Sequence, residues 1–405
     1  MNKRKYRLFV ICCLVLDLLV MLISGYRYLD RKIPDEIQIS RGKKTEDVTE
    51  VLSTPFVTFE EAVTVSQDGG YILPCKLLGY IPFKEIKVTP ADDQEIYVSG
   101  STIGIYMQTE GVLVIDTGEI QNRNGETEEP ARNIIRQGDY IISFNGEKIS
   151  TKRELIDDIS ELDGSEVTLG ISRKGESIPV SVTPVKDKKG DYKLGIWVRD
   201  DTQGIGTLTY VDQNGNYGAL GHGISDIDTA QLLNIRNGAL YKARILAINK
   251  GSKGNPGELA GYICYDDRNI LGTIEANSRN GIYGQFTGIV DDAITLKKTP
   301  AASKQEVKIG TATILCSTDG EVKEYDAEIR KIDLNHEDTN KSFVIKVTDK
   351  ELLEATGGIV QGLSGSPVIQ NGKIIGAVTH VFVQDASSGY GIFIENMLKN
   401  TERLF

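Results

Sequence analysis

Gly362-Leu363-Ser364-Gly365-Ser366-Pro367 runs directly into Val368-Ile369-Gln370, the dipeptide Asn371-Gly372 and the stretch Ile374-Ile375-Gly376-Ala377-Val378-Thr379-His380. Asn-Gly between two short β-branched runs specifies a hairpin, because both turn residues tolerate positive φ. Glycines around a serine let the chain turn tightly, expose the hydroxyl and aim adjacent amides at one point. The stretch predicts a nucleophile turn feeding a β-hairpin, with Ser364 as nucleophile and the amides of Gly362 and Ser364 as an oxyanion hole. A chance Gly/Ser loop is the competing reading of the hexapeptide taken alone.

Trypsin-like proteases lead their nucleophile turn into the same kind of hairpin, whose second strand walls the specificity pocket. His380 falls on that strand and is a candidate pocket residue, against the plainer reading of a strand histidine with a core partner. The rest of the chain has a compatible composition. It has 405 residues, enough for two or three cores, and short Val/Ile/Thr runs separated by Gly, Asn and Asp favour a mostly β protein.

Serine needs a base, and the chain offers three histidines. His222 lies in Gly221-His222-Gly223-Ile224-Ser225-Asp226, where flanking glycines imply a tight, accessible turn. His336 sits in the polar turn Asp333-Leu334-Asn335-His336. His222 is therefore the expected general base. The orienting carboxylate stays open on residues alone: Asp266 or Asp267 from the middle of the domain, Asp226 close to the histidine, or Asp349 before the nucleophile loop.

Residues 96–185 are similar to a PDZ domain. Ser101, Thr102, Ile103, Gly104 and Ile105 are expected as the turn and strand that receive an extended peptide at a free sheet edge. Thr151–Glu161 has the apolar spacing of an amphipathic helix, and Val167–Ser172 with Ser177–Val182 reads as a closing hairpin. Residues 192–405 form a long domain of short strands. The fold expected is mostly β: an α+β PDZ domain followed by a trypsin-like double β-barrel serine peptidase domain, with an N-terminal membrane-spanning helix.

Lys3, Arg4, Lys5 and Arg7 precede an apolar run from Leu8 to Ile23, which is an export signal. No small-x-small cleavage site follows, so residues 1–29 are expected to stay as an anchor, a cleaved signal being the alternative. Residues 30–95 read as a charged tether, Asp30 to Glu50, and an N-terminal regulatory or pro segment. A net charge of −11 argues against nucleic acid and is compatible with polypeptide partners. Five cysteines with no CxxC spacing give neither a metal signature nor a disulfide framework, and no cofactor is expected.

The chain resembles the stage IV sporulation protein B (SpoIVB) peptidases. The residues that carry the likeness are Gly221–Asp226, the stretch from Thr348-Asp349 through Thr356-Gly357-Gly358 to Pro367, and Gly376–Val383. The order of anchor, N-terminal segment, PDZ domain and peptidase agrees. The resemblance implies His222, Asp349 and Ser364 as the triad. It also implies a forespore protease, secreted between two membranes, that cuts itself and a membrane-bound regulator of an intramembrane metalloprotease. That cleavage would trigger processing of the late mother-cell sigma factor precursor. The alternative is a catalytically inactive, membrane-anchored PDZ scaffold in the spore envelope. Leu363 stands where pancreatic-type proteases keep an aspartate for a new N-terminus, so control is expected N-terminal to the peptidase domain.

Overall fold

Short β-branched runs punctuated by glycine fold as strands almost throughout, and the computed structural model describes residues 3–40, 49, 52, 54–64, 70–91, 94–288, 294–336 and 339–405. The basic and apolar N-terminal residues form one helix, Lys3–Lys32, in which Arg4–Lys32 is long and apolar enough to cross a membrane. Its end is tied down: Leu29 and Ile33 are buried with Ile37, Leu73, Ile86 and Val88. Part of the expected tether is a strand, Glu36–Ser40, in parallel register with Lys87–Ala91. Ile37 and Ile39 alternate inward there, a period-two signal masked by charged neighbours. Residues 41–48 and 50 of the tether lie outside the described residues.

Two barrels follow. The first is a ring of Thr102–Thr117, Ile196–Val211, Asn216–Ala219, Gly281–Gln285, Ile270–Ile274 and Ile235–Asn249, joined by successive antiparallel pairings and closed by the bridge Gly272 to Phe286. Ile103, Ile105, Leu208, Leu220, Leu240 and Ile282 fill it. The second is a closed barrel of Gly310–Ser317, Val322–Ile332, Phe343–Val347, Asp385–Phe393, Lys373–Phe382 and Pro367–Gln370 around Ile329, Phe343, Ile345 and Val368. The C-terminal helix Ile394–Leu404 spans both, burying Met397 and Leu398 with Tyr210 of the first barrel and Ala377 of the second. The Tyr210 hydroxyl and Thr401 Oγ1 are 2.7 Å apart across that junction.

The PDZ unit is inserted into the first barrel rather than preceding it. Thr102–Thr117 is one strand of 16 residues, about 50 Å at ~3.3 Å per residue, which is enough to serve two cores. Its odd residues Ile103, Ile105, Met107 and Leu113 face the barrel core; Val112 and Val114 face a separate core with Ile141, Leu155 and Leu169. Burial on both faces explains the unbroken apolar run Gly111 to Ile115. The chain then completes the PDZ sheet with Tyr140–Phe144, Val167–Arg173 and Glu176–Val182, carries the helix Lys152–Ser160, and returns through Ile196–Val211. Bulges between Trp197 and Val198 and between Arg199 and Asp201 mark the crossing from PDZ core to barrel core.

This corrects the expected peptide-receiving site. Ile103, Gly104 and Ile105 pair with Gly204–Gly206 on one side and with Leu240–Lys242 on the other, and Thr102 pairs with Thr207. Ser101 is buried, with its hydroxyl accepting from Thr295 N at 3.0 Å. A strand hydrogen-bonded along both edges cannot add a third partner. Near the expected border at 96, Tyr97 and Val98 pair with Val211 and Tyr210, and the following Thr102–Thr117 strand is shared between the first barrel and the PDZ sheet.

Candidate active site

The nucleophile turn requires two left-handed glycines, Gly362 at φ 99° and Gly365 at φ 94°. A Cβ on Gly365 would lie 2.3 Å from Thr207 O and 2.5 Å from Leu220 N, so the turn is pressed against the first barrel. The strand Ile196–Val211 holds it there. Thr207 N donates to Ser364 O at 3.0 Å, Thr207 Oγ1 to Gly362 O at 2.8 Å, and Thr209 Oγ1 to Gly365 O at 2.8 Å.

Alternation within the turn is the most informative feature. Leu363 N donates to Val360 O, Gly365 N to Val378 O and Ser366 N to Leu363 O. Among the described residues, the amides of Gly362 and Ser364 donate to no protein acceptor. Two uncommitted N–H groups, at Ser364 and two residues before it, are the kind of donors an oxyanion hole needs.

His222 follows the strand Asn216–Ala219 of the first barrel, on a turn forced by Leu220 at φ 68° and Gly221 at φ 68°. A Cβ on Gly221 would meet Thr379 Cγ2 at 2.9 Å, and the Ser364 hydroxyl donates to Thr379 O at 2.8 Å, so both turns abut the same residue. The His222 ring packs on His380 with centroids 4.9 Å apart. Nδ1 of His222 lies 2.9 Å from Gly223 O, which assigns the proton to Nδ1 and leaves Nε2 as the basic nitrogen. Burial pushes the imidazole pKa down, partly offset by that carbonyl.

The three expected triad residues are not joined by hydrogen bonds. Asp349 is the N-cap of the helix Lys350–Thr356: its carboxylate accepts from Leu352 N at 3.0 Å and Asp326 N at 3.4 Å. Among the described residues, no hydrogen bond or ion pair joins Asp349 to His222 or His222 to Ser364. Of the other carboxylates considered, Asp226 is buried against Arg199, and Asp266 caps a short turn and pairs with Arg268. Leu363 is buried in the second barrel's core.

The residues missed from sequence are Thr207 and Thr209, which hold the nucleophile turn, and Arg199, which binds Asp226 and, at 3.0 Å, Asp228 in the loop after His222. All three lie on Ile196–Val211. That strand's first residues, Ile196–Arg199, pair with Leu113–Thr117 on one edge, and among the described residues no strand pairs with the other. Beside it lies the helix Lys152–Ser160, whose Lys152 amide donates to Asp200 Oδ2 at 2.7 Å. Trp197 and Ile156 are both exposed there. The signal available was Lys193-Leu194-Gly195-Ile196-Trp197, a second glycine-led apolar strand start.

The chain is similar to several known proteins. A PDZ domain profile matches residues 101–183. A protein of Lactococcus lactis subsp. lactis (strain IL1403) named as a zinc metalloprotease, LL2128, is 38% identical over 78 residues, which is 18% of this chain and 18% of that protein. Among solved structures, the PDZ domain of the SdrC-like protein Lmo2051 from Listeria monocytogenes is 23% identical, with 22% of this chain and 87% of that one covered and a TM-score of 0.19. The Rv3671c protease from M. tuberculosis, in its active form, is 15% identical, covering 50% and 74%, with a TM-score of 0.27. The profile of the SpoIVB peptidase family S55 matches residues 190–398, from the returning PDZ strand through both histidine and serine turns to the C-terminal helix, and the chain belongs to that family.

Proposed function

We propose that this chain is a membrane-held serine endopeptidase acting outside the cytoplasm, with Ser364 as nucleophile and His222 as general base. The observation that carries the proposal is the pair of uncommitted amides at Gly362 and Ser364, on a turn that abuts the His222 turn across Thr379. In the reaction, Ser364 Oγ attacks the scissile carbonyl carbon while His222 Nε2 takes its proton. The oxyanion is held by the two amides, the proton passes to the leaving amine, and water then hydrolyses the acyl-enzyme by the same route reversed.

The resting hydroxyl faces Thr379 O, so attack requires rotation about the Ser364 χ1 bond toward His222. Gly223 O supports the Nδ1 proton in this resting arrangement. Asp349 would join as the orienting carboxylate only if the helix cap opened toward the imidazole. The arrangement suits a latent enzyme, and the open edge at Ile196–Arg199 suits its control. A peptide added as a strand at that edge, beside the helix Lys152–Ser160, would load the same strand that holds both catalytic turns.

Family membership supports a sporulation role in the space between the forespore membranes. The substrates would be the chain's own N-terminal region and a membrane-bound regulator of an intramembrane metalloprotease. Buried packing of Leu29 and Ile33 favours retention of the N-terminal helix as an anchor. The deciding experiment is co-expression of the wild-type or Ser364→Ala chain with a candidate membrane substrate, followed by mass analysis of both proteins. Processing that stops in Ser364→Ala at unchanged melting temperature is expected; unaltered trimming would leave the inactive scaffold as the reading.

A further inference from the structure

At the foot of the N-terminal helix lies a cavity of about 1110 Å³ whose wall mixes apolar residues with seven basic ones. Arg27 and Arg31 come from the helix, Lys304 and Lys308 from the segment entering the second barrel, and Arg330 and Lys331 from the strand Val322–Ile332. One carboxylate, Asp333, lines it. Arg31 lies 3.7 Å from Asp333, Arg330 is 2.8 Å from Glu328, and Lys304 feels the carboxylates of Glu395, Glu36 and Asp35; among the described residues Arg27, Lys308 and Lys331 form no ion pair. In a chain of net charge −11, seven basic residues around one hollow with a single carboxylate in its described wall favour an anion between them.

The position of the cavity identifies the anion. At ~1.5 Å per residue, Arg27 and Arg31 lie about 6 and 12 Å beyond Ile23, the end of the apolar run. The polar layer of a bilayer is roughly 5–8 Å thick on each face, so the cavity mouth opens at headgroup level. Tyr26 and Tyr28 on the helix and Ile309 on the cavity rim are exposed, the apolar and amphipathic groups that suit this depth. Burial pushes the Lys304 ammonium pKa down, a cost that a neighbouring phosphate would relieve.

We propose that this cavity binds the headgroup of an anionic phospholipid and thereby sets the peptidase body against the membrane surface. The proposal rests on the reading of Lys3–Lys32 as a retained anchor. The test is native mass spectrometry of the full-length chain in dodecyl maltoside micelles, titrated with phosphatidylglycerol, phosphatidylcholine or inorganic phosphate. Phosphatidylglycerol should be retained in preference to phosphatidylcholine. The preference should fall by about tenfold in the double variant Lys308→Gln/Lys331→Gln and survive in Lys308→Arg/Lys331→Arg. Equal retention of the two lipids, or a preference untouched by the glutamine pair at unchanged circular dichroism, would overturn the proposal. So would full displacement of the lipid by millimolar inorganic phosphate, which would make this a free-anion site. The anchor reading has its own readout, the intact N-terminal mass of protein recovered from membranes, so loss of the helix in cells would sink that reading separately from the cavity's lipid preference.

Discussion

Arg199 and Asp226 form an ion pair that ties the PDZ edge strand to the loop immediately following His222. The Asp226 side chain is 1% exposed and that of Arg199 is 32% exposed, so the carboxylate depends on this partner and on the amides of Asp228 and Thr229. Removing the guanidinium leaves a buried charge with weakened compensation. Arg199→Ala is expected to cost about 1–3 kcal/mol of stability, the upper range for a broken buried pair being reduced by the exposure of the arginine. It should also lower kcat, through a looser His222 loop, with Arg199→Lys intermediate. Urea denaturation beside kcat/KM would check this; a stability loss with unchanged kinetics would make the pair structural only.

Gly365→Ala places a methyl group 2.3 Å from Thr207 O and imposes a left-handed φ of 94° on a residue with a side chain. The expected result is loss of cleavage with destabilisation of about 1–3 kcal/mol. Thr207→Val, which removes only the hydroxyl that Gly362 O accepts, should lower kcat by a smaller factor at little change in KM. Steady-state kinetics on a fluorogenic peptide would separate the two.

Asp349 allows a clean division between capping and catalysis. Asparagine caps a helix about as well as aspartate, whereas alanine costs on the order of 1 kcal/mol. If the carboxylate acts only on the amides of Leu352 and Asp326, Asp349→Asn should cleave at the wild-type rate and melt like wild type. If it reaches His222 in the active state, the same variant should keep its stability and lose about 10⁴ in kcat. Active-state recruitment is the expected outcome, and thermal melts run on the kinetic samples would decide.

Burial depresses the His222 pKa below its ordinary 6.5, so the base remains neutral and competent on the acidic side of that value. The acidic limb of kcat/KM should therefore fall below pH 6.5. For stability, the unfolded imidazole binds a proton at higher pH than the folded one, so this group's contribution is present above pH 6.5. It is lost progressively as pH falls below that value, toward the folded pKa. His222→Gln should flatten that part of the stability curve, measured by denaturant melts from pH 5 to 8.

Trp197 is the chain's one tryptophan and stands exposed on the open PDZ edge. Binding of an extended peptide there should change its intrinsic emission, giving a label-free titration. Ile156→Asp, on the adjoining helix, is expected to weaken binding by about tenfold, roughly the loss from one apolar contact of a peptide side chain. Gly104→Ala should destabilise the first barrel, since its Cβ would lie 2.7 Å from the Ile263 side chain. Peptide binding unaffected by Ile156→Asp, with no Trp197 response, would move the groove elsewhere.

The glycine turn at Ser364, the hairpin behind it, the Gly-His-Gly turn, the helix Lys152–Ser160 and the N-terminal helix were legible because each is a local pattern: turn glycines, a capped amphipathic stretch, an apolar run. Ser101–Ile105 misled for the same reason. A glycine-bearing β-branched stretch looks alike in a PDZ edge and in a barrel wall, and only partners about a hundred residues or more away, Leu240–Lys242 and Gly204–Gly206, distinguish them.

By itself the sequence determined the chemistry available: which serine can be aimed by glycines, which histidine sits on a glycine-framed turn, and which end of the chain is apolar. Tertiary structure decided that the PDZ unit is an insertion and that one strand, Ile196–Val211, carries the open edge, Arg199, Thr207 and Thr209 in succession. It also decided that Asp349 caps a helix and that the Ser364 hydroxyl rests on Thr379. The physical reason is the range of the forces involved. Turn and helix preferences act over a few residues, whereas strand pairing and side-chain aim are fixed by neighbours that the chain brings together only when both barrels close.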